Sequence, residues 1–384
     1  MQQRAYILSI IVVAQFFCTS LWFAGNAVMP GLIVKLNLLD TDLGYITSAV
    51  QLGFIIGTLV YAMLTIADRF QPSRVFFVSA CLGSIFNGLI VWDVSFSQLL
   101  ALRFFTGFFL AGIYPVGMKI AADYFEKGLG KALGFLVGAL VLGTALPHLL
   151  ASIDLSYDWT VVIYATSTLA VTGGLLILVF VPNGPFRKQG AKLKLKAAMK
   201  VFESRPFKAA AFGYFGHMWE LYAFWAFVPA MLVLYENLRS VEINVSLLSF
   251  LIIGGGAISC IAGGYLSEWL GEKKVAASSL FISGICCLLS PIVFFAPELI
   301  FIGLLVIWGL AVIADSPLFS SLVAKNAKPE LKGTALTIVT CIGFSITIVS
   351  IQLLNYLVDK FPTYAYLILA LGPVFGLASL KTKK

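Results

Sequence analysis

Apolar residues fall in twelve long runs separated by short polar stretches. The runs cover residues 6–29, 42–66, 74–92, 97–121, 132–153, 159–182, 206–235, 245–270, 275–295, 297–322, 333–358 and 362–380. A run of about 19 or more mostly apolar residues crosses the hydrocarbon core as a helix. The pattern predicts an all-α membrane protein with twelve transmembrane helices, because helices satisfy their own backbone polar groups where no water reaches. No connection is long enough to hold a soluble domain. The opening MQQR leads into an apolar run too long for a signal-peptide core, so it reads as an uncleaved first span.

Composition supports this reading. Of 384 residues, 60% are hydrophobic and 11% charged, against about 25% charged in a soluble domain. The six cysteines all fall inside apolar runs without metal-ligand spacing, and they read as packing residues.

The net charge of +8 raises the question of nucleic acid, and its placement argues against that. The longest connection, residues 183–205, carries Arg187, Lys188, Lys192, Lys194, Lys196, Lys200 and Arg205. With twelve spans both termini share its side, and 22 of the 26 Lys and Arg residues fall there. Of the rest, Lys35, Arg239 and Lys360 fall opposite and Arg103 lies within a span. The positive-inside rule therefore places both termini and this linker in the cytoplasm.

The chain resembles itself at a spacing close to 200. Ser20, Leu21 and Trp22 lie over Glu220, Leu221 and Tyr222; Asp68 lies over Glu268, Arg74 over Lys274 and Gly143 over Gly343. The register implies two pseudo-symmetric six-helix bundles, residues 1–182 and 206–384, joined by the basic linker. Parallel repeats of this kind hold a binding site near the midplane.

Few polar groups lie inside the spans. The run GYFGHMWELYAFW, residues 213–225, places His217 and Glu220 three positions apart on one helix face. Glu220 sits about halfway along roughly 45 Å of helix. A carboxyl at that depth costs at least a few kcal/mol unless paired, solvated or neutralised, which marks it as a functional candidate. One that meets water and then a cation can load and release a proton; the plainer alternative is a hydrogen bond between helices. His217 either relays that proton, binds substrate or is structural. Asp315, followed by Ser316 and Pro317, either binds a proton or cation or caps a broken helix. Arg103 either grips an anion by two parallel hydrogen bonds, or forms an internal ion pair or snorkels to the membrane edge. Gln15, Asn26 and Gln51 are cavity-lining or inter-helix groups, and His148, after Pro147 near the outer end of span five, is either functional or a polar end residue. Trp22, Trp219, Tyr222 and Trp225 line a cavity or pack. Gly107, Gly112, Gly254, Gly255 and Gly256 are candidate flexing points.

The loop after the second span reads ADRFQPSR, and its counterpart runs from Gly264 through Glu268 and Gly271 to Lys273 and Lys274. The fourth span contains Arg103 and Gly107 in an Arg-x-x-x-Gly pattern. DYFEKGLGKALG and KPELKGTAL open spans five and eleven. This set, in this order, resembles the major facilitator superfamily over essentially the whole chain. Leu64 and Gln71 stand where the family's loop signature has glycines. The fifth span has Gly134, Gly138, Gly143 and Pro147 without the family's full antiporter Gly-Pro motif.

The resemblance implies a secondary active transporter that moves a small solute by alternating access, coupled to protons through Glu220 and Asp315. Arg103, His217, Trp22, Asn26, Trp219 and Tyr222 are then the substrate-binding candidates, and an organic or inorganic anion is the first reading. The alternative is proton-driven efflux of amphipathic compounds or a secreted metabolite. The family's loops also imply a cytoplasmic gate of Asp68, Arg69, Arg74, Glu268, Lys273 and Lys274, with Asp123, Glu126 and Lys127 as partners. No Walker loop, nucleophile motif or metal cluster appears, so neither an enzyme nor a cofactor is expected. The expected partners are the solute, protons and the lipid bilayer, with the chain acting as a monomer in a cell membrane, the inner membrane in a bacterium.

Overall fold

The computed structural model of the chain describes residues 2–125, 129–153, 158–187, 199–328 and 331–381. Among these the regular structure is helical, without a strand. Among the described residues ten helical segments are long and apolar enough to cross a membrane, and two shorter apolar segments, Tyr6–Thr19 and Ala365–Leu380, complete the expected twelve. The chain is an all-α, multi-pass membrane protein. It divides into two compact units, Met1–Lys192 and Leu193–Lys384. Of the basic connection, Lys188, Lys192, Lys194 and Lys196 lie outside the described residues, as do Glu126 and Lys127.

Three spans read as continuous in the sequence are broken. The first is a helix over Gln2–Thr19, an irregular stretch over residues 20–23, then short helices Ala24–Ala27 and Met29–Leu36. The fourth runs Phe96–Leu110 and restarts as Tyr114–Tyr124; the tenth runs Glu298–Ala314 and restarts as Ser316–Asn326. Both restarts carry a proline in the first turn, Pro115 and Pro317. Proline has no N–H to give the carbonyl four residues back, so the old helix ends there, while its fixed φ suits a new first turn.

Glycines let spans meet backbone to backbone. A Cβ at Gly107 would stand 2.0 Å from the carbonyl oxygen of Val50, and one at Gly53 1.9 Å from that of Phe104. In the second unit a Cβ at Gly309 would stand 2.1 Å from the carbonyl oxygen of Ile252. Gly309 and Ile252 each lie 202 positions after Gly107 and Val50, and Pro317 lies 202 after Pro115. The two units thus repeat one helix contact and one helix break in the same register. Gly107 serves as a contact point between spans two and four.

Gly107→Leu and Gly53→Leu are expected to lower the thermal midpoint of the detergent-purified protein, because overpacking costs about 1–3 kcal/mol. Gly303→Ala, where an added Cβ meets nothing within 4 Å, is expected to leave it unchanged or raise it. The check is a melting curve of the three variants beside the parent.

Candidate functional site

Glu220 lies near the centre of the helix Arg205–Arg239 and is 1% exposed. Its carboxyl is met by three donors. Trp308 Nε1 donates to Oε1 at 2.6 Å, Cys287 Sγ to the same oxygen at 3.3 Å, and Ser283 Oγ to Oε2 at 3.0 Å. Ser283 and Cys287 are one turn apart on the ninth span, so they present one face; Trp308 comes from the tenth. All three donors are neutral, and no salt bridge to Glu220 occurs among the described residues. The cysteine read as packing is therefore also a ligand to this carboxyl. Ser283 and Trp308 were not singled out in the sequence, though a Ser/Cys pair at i, i+4 in an apolar helix was a signal available there.

His217 does not pair with Glu220, although the two lie on one face. Its Nδ1 lies 2.8 Å from Asp315 Oδ1, with both side chains at most 1% exposed. The separation is that of an ion pair, and neither imidazole nitrogen nor either Asp315 oxygen makes a regular hydrogen bond among the described residues. Asp315 occupies the break of the tenth span, immediately before the restarting helix. Tyr214 and Phe319 flank the imidazole, with ring centroids at 5.9 and 6.4 Å. Spans seven and ten are thus tied twice, by Glu220 to Trp308 and by His217 to Asp315.

In the first unit Arg103 is wholly buried. A capping box sets its helix: Ser95 and Gln98 exchange side-chain and backbone hydrogen bonds at the helix start, and Arg103 follows about two turns on. Nη2 donates to the carbonyl oxygens of Trp22 at 2.5 Å and Leu21 at 3.1 Å, and Nη1 to Asn87 Oδ1 at 3.0 Å. Those two carbonyls lie in the stretch where the first span is not helical. Asn87 in turn donates to Thr166 Oγ1 and Ser167 Oγ, at 3.2 and 3.0 Å. The guanidinium therefore ties spans one, three and four, and through Asn87 span six. Its partners are neutral and it is buried, so it neither ion-pairs nor snorkels; Nη2, which belongs to both two-N–H edges of the guanidinium, is spent on carbonyls, while Nε has no hydrogen-bond partner among the described residues.

Other buried polar groups of this unit are less provided for. Asn26 Nδ2 donates to Thr47 Oγ1 at 2.8 Å, but Asn26 Oδ1 has no hydrogen-bond partner among the described residues. The same holds for both amide atoms of Gln15 and Gln51, for Thr144 Oγ1 and for His148 Nε2. Gln15 lies against Gly117, where a Cβ would come within 2.4 Å of its Oε1.

The aromatic candidates separate. Trp22 packs on Phe54 at 4.8 Å, and Tyr222 on Trp225 and Phe344 at 5.3 and 5.1 Å. Trp219 donates to the carbonyl of Ile368 at 3.0 Å and faces the twelfth span, away from the Glu220 ligands.

At the loop ends, Asp68 pairs with Lys119 at 3.1 Å, and Lys119 also reaches Asp123 at 3.5 Å. Arg187 donates to the backbone carbonyls of Asp68 and Phe70. In the second unit the pair is Glu272 with Lys325 at 2.9 Å, and Ser321 also donates to Glu272. Arg69, Arg74, Glu268, Lys273 and Lys274 make no salt bridge among the described residues. Lys119, Glu272 and Lys325 were not picked out in the sequence, because pairing between loops depends on which helices are neighbours.

A family model described as the Major Facilitator Superfamily matches residues 11–351. The chain is 22% identical over 261 residues to a protein of Escherichia coli (strain K12) described as "Probable L-galactonate transporter", covering 63% of this chain and 56% of that one. It is 23% identical over 264 residues to a Bacillus subtilis (strain 168) protein described as "Putative niacin/nicotinamide transporter NiaP", covering 64% and 61%. The chain thus spans less than two thirds of the length of either relative.

Arg103→Met is expected to lower the melting midpoint with no solute present, since it strands the carbonyls of Leu21 and Trp22 at about 1–3 kcal/mol each. Arg103→Lys, a point charge without the planar fork, should recover only part of the loss. A side chain kept solely to grip a solute would leave the solute-free midpoint where it was.

Proposed function

The chain belongs to the Major Facilitator Superfamily, and on that premise we propose that it is a secondary active transporter of a small solute. It works by alternating access and is driven by protons. Glu220 carries the argument: a buried carboxyl at mid-helix, met by donors from two further spans and by no cation. Nothing about packing requires an acid there, and its cost in a membrane interior is several kcal/mol.

The second proton position is Asp315. It lies where the tenth span breaks and restarts, so a change at its carboxyl acts on a helix junction rather than on a continuous rod. His217 is its partner, 2.8 Å away. Discontinuous helices are where such transporters place their sites. Protonation of Asp315 weakens its attraction to His217, and protonation of Glu220 rearranges its bonds to Ser283, Cys287 and Trp308. Either event alters how span seven is held against spans nine and ten, which is the coupling a proton-driven cycle needs.

The loop pairs Asp68 with Lys119 and Glu272 with Lys325 serve as the cytoplasmic latches. The protein sits in a cell membrane with both termini in the cytoplasm, as the distribution of Lys and Arg supports, and it functions as a monomer. The two relatives' descriptions name L-galactonate and niacin or nicotinamide, so these are the solutes to try first.

In proteoliposomes, an acid-outside gradient is expected to drive uptake of at least one of L-galactonate, niacin and nicotinamide. Glu220→Gln and Asp315→Asn should each cut gradient-driven uptake at least tenfold while leaving solute exchange without a gradient measurable. Uptake indifferent to the gradient, or undiminished in both variants, removes the proton from the cycle.

A further inference from the structure

We propose that the first unit holds a hydrogen-bonding half-site for an uncharged solute bearing hydroxyl or amide groups, built from Asn26, Gln51, Thr144 and His148. The assignment deepens the transport reading above and rests on it for the word solute.

The site begins at the break in the first span. The short helix Ala24–Ala27 packs against the second, fifth and sixth spans. Asn26 on that helix reaches Thr47 of the second span, and Gln51 lies one turn beyond Thr47 on the same face. On the fifth span Thr144 and His148 are likewise one turn apart. That span is pressed on the first at the preceding residue, where a Cβ on Gly143 would meet Thr19 Oγ1 at 2.1 Å. Polar side chains on three adjoining elements are thus at most 4% exposed. Asn26 Oδ1, Gln51 Oε1 and Nε2, Thr144 Oγ1 and His148 Nε2 have no hydrogen-bond partner among the described residues.

A buried polar atom without a partner costs about 1–3 kcal/mol. Several of them on adjoining elements is a standing cost that packing does not require, since Leu or Val fills the same volumes. A bound solute relieves it. The chemistry of the set says which solute. Amides and hydroxyls both donate and accept, so they match hydroxyl and carboxamide groups, which do the same. No carboxylate faces this set from its own helices. Nη2 of Arg103, common to both two-N–H edges of the guanidinium, is spent on Leu21 and Trp22, and Nη1 meets Asn87, leaving Nε without a hydrogen-bond partner among the described residues. A carboxylate would therefore find no free pair of N–H groups to grip in parallel, only the single Nε–H.

The test is a melting-temperature screen of the purified chain with two matched pairs, nicotinamide against nicotinate and galactitol against galactonate. Each pair keeps much of its shape and changes its charge. At least one neutral member is expected to raise the midpoint, and neither anion. Gln51→Leu and Thr144→Val should abolish that rise. In solute-free protein the same substitutions should leave the midpoint unchanged or raise it, because they remove unmet polar atoms; groups with a structural role would lower it instead. Stabilisation by an anion, by neither neutral compound, or by a neutral compound undiminished in Gln51→Leu and Thr144→Val overturns the proposal. A neutral compound that binds but is not carried into proteoliposomes leaves the half-site standing and defeats the transport reading. Gradient-driven uptake of an anion alone does the reverse.

Discussion

Inside a bilayer, every polar group that leaves a helix ladder must find its partner within the protein. The first span leaves its ladder over residues 20–23, and the carbonyls of Leu21 and Trp22 are then without helical donors. The Arg103 guanidinium supplies donors to both, and Asn87 orients the guanidinium from a third helix. Remove that clamp and the two carbonyls lose their side-chain donors; with it, the short helix bearing Asn26 has a defined place. The charge of Arg103 is thus tied to backbone geometry, and its location on the fourth span is set by a capping box about two turns earlier.

The two units share a scaffold and differ in what they place on it. Val50, Gly107 and Pro115 recur as Ile252, Gly309 and Pro317, each 202 positions on. At the same offset Arg103 is replaced by Leu305, and Ile113 by Asp315. The first unit accordingly carries a committed cation and uncharged amides and hydroxyls, while the second carries two buried carboxyls. Close backbone packing through glycine depends on shape alone, so it survives duplication. Buried charges carry a large cost and persist only where they are useful, so the differences fall on them.

Glu220 and Asp315 occupy unlike settings though both are buried. Glu220 is bound from two helices by a tryptophan, a thiol and a hydroxyl. Asp315 has His217 as its close polar neighbour, at a junction where the helix has already been interrupted. The first arrangement holds helices together, and the second leaves capacity for a proton or another partner. The proton coupling proposed for spans seven and ten would draw on both properties, a firm tie beside an unsatisfied one.

Hydrophobic run length, positive-charge bias and the repeat determined the membrane class, the twelve segments and the family resemblance. These are properties of consecutive residues: a run of about 20 apolar positions is a span whatever it packs against. The sequence also singled out Glu220, Asp315, His217 and Arg103, because a charge in such a run is conspicuous. Their partners were not legible. That His217 meets Asp315 and not Glu220, that Cys287 serves the acid, that Arg103 spends itself on carbonyls, and that Lys119 answers Asp68 all follow from which helix faces adjoin. Prolines hinted at the breaks in spans four and ten, whereas the stretch over residues 20–23 of span one has no proline and is bonded by a side chain some eighty residues away. Tertiary structure alone decided these points, because a hydrogen bond between helices depends on a few ångströms of relative position that no pattern along one chain records.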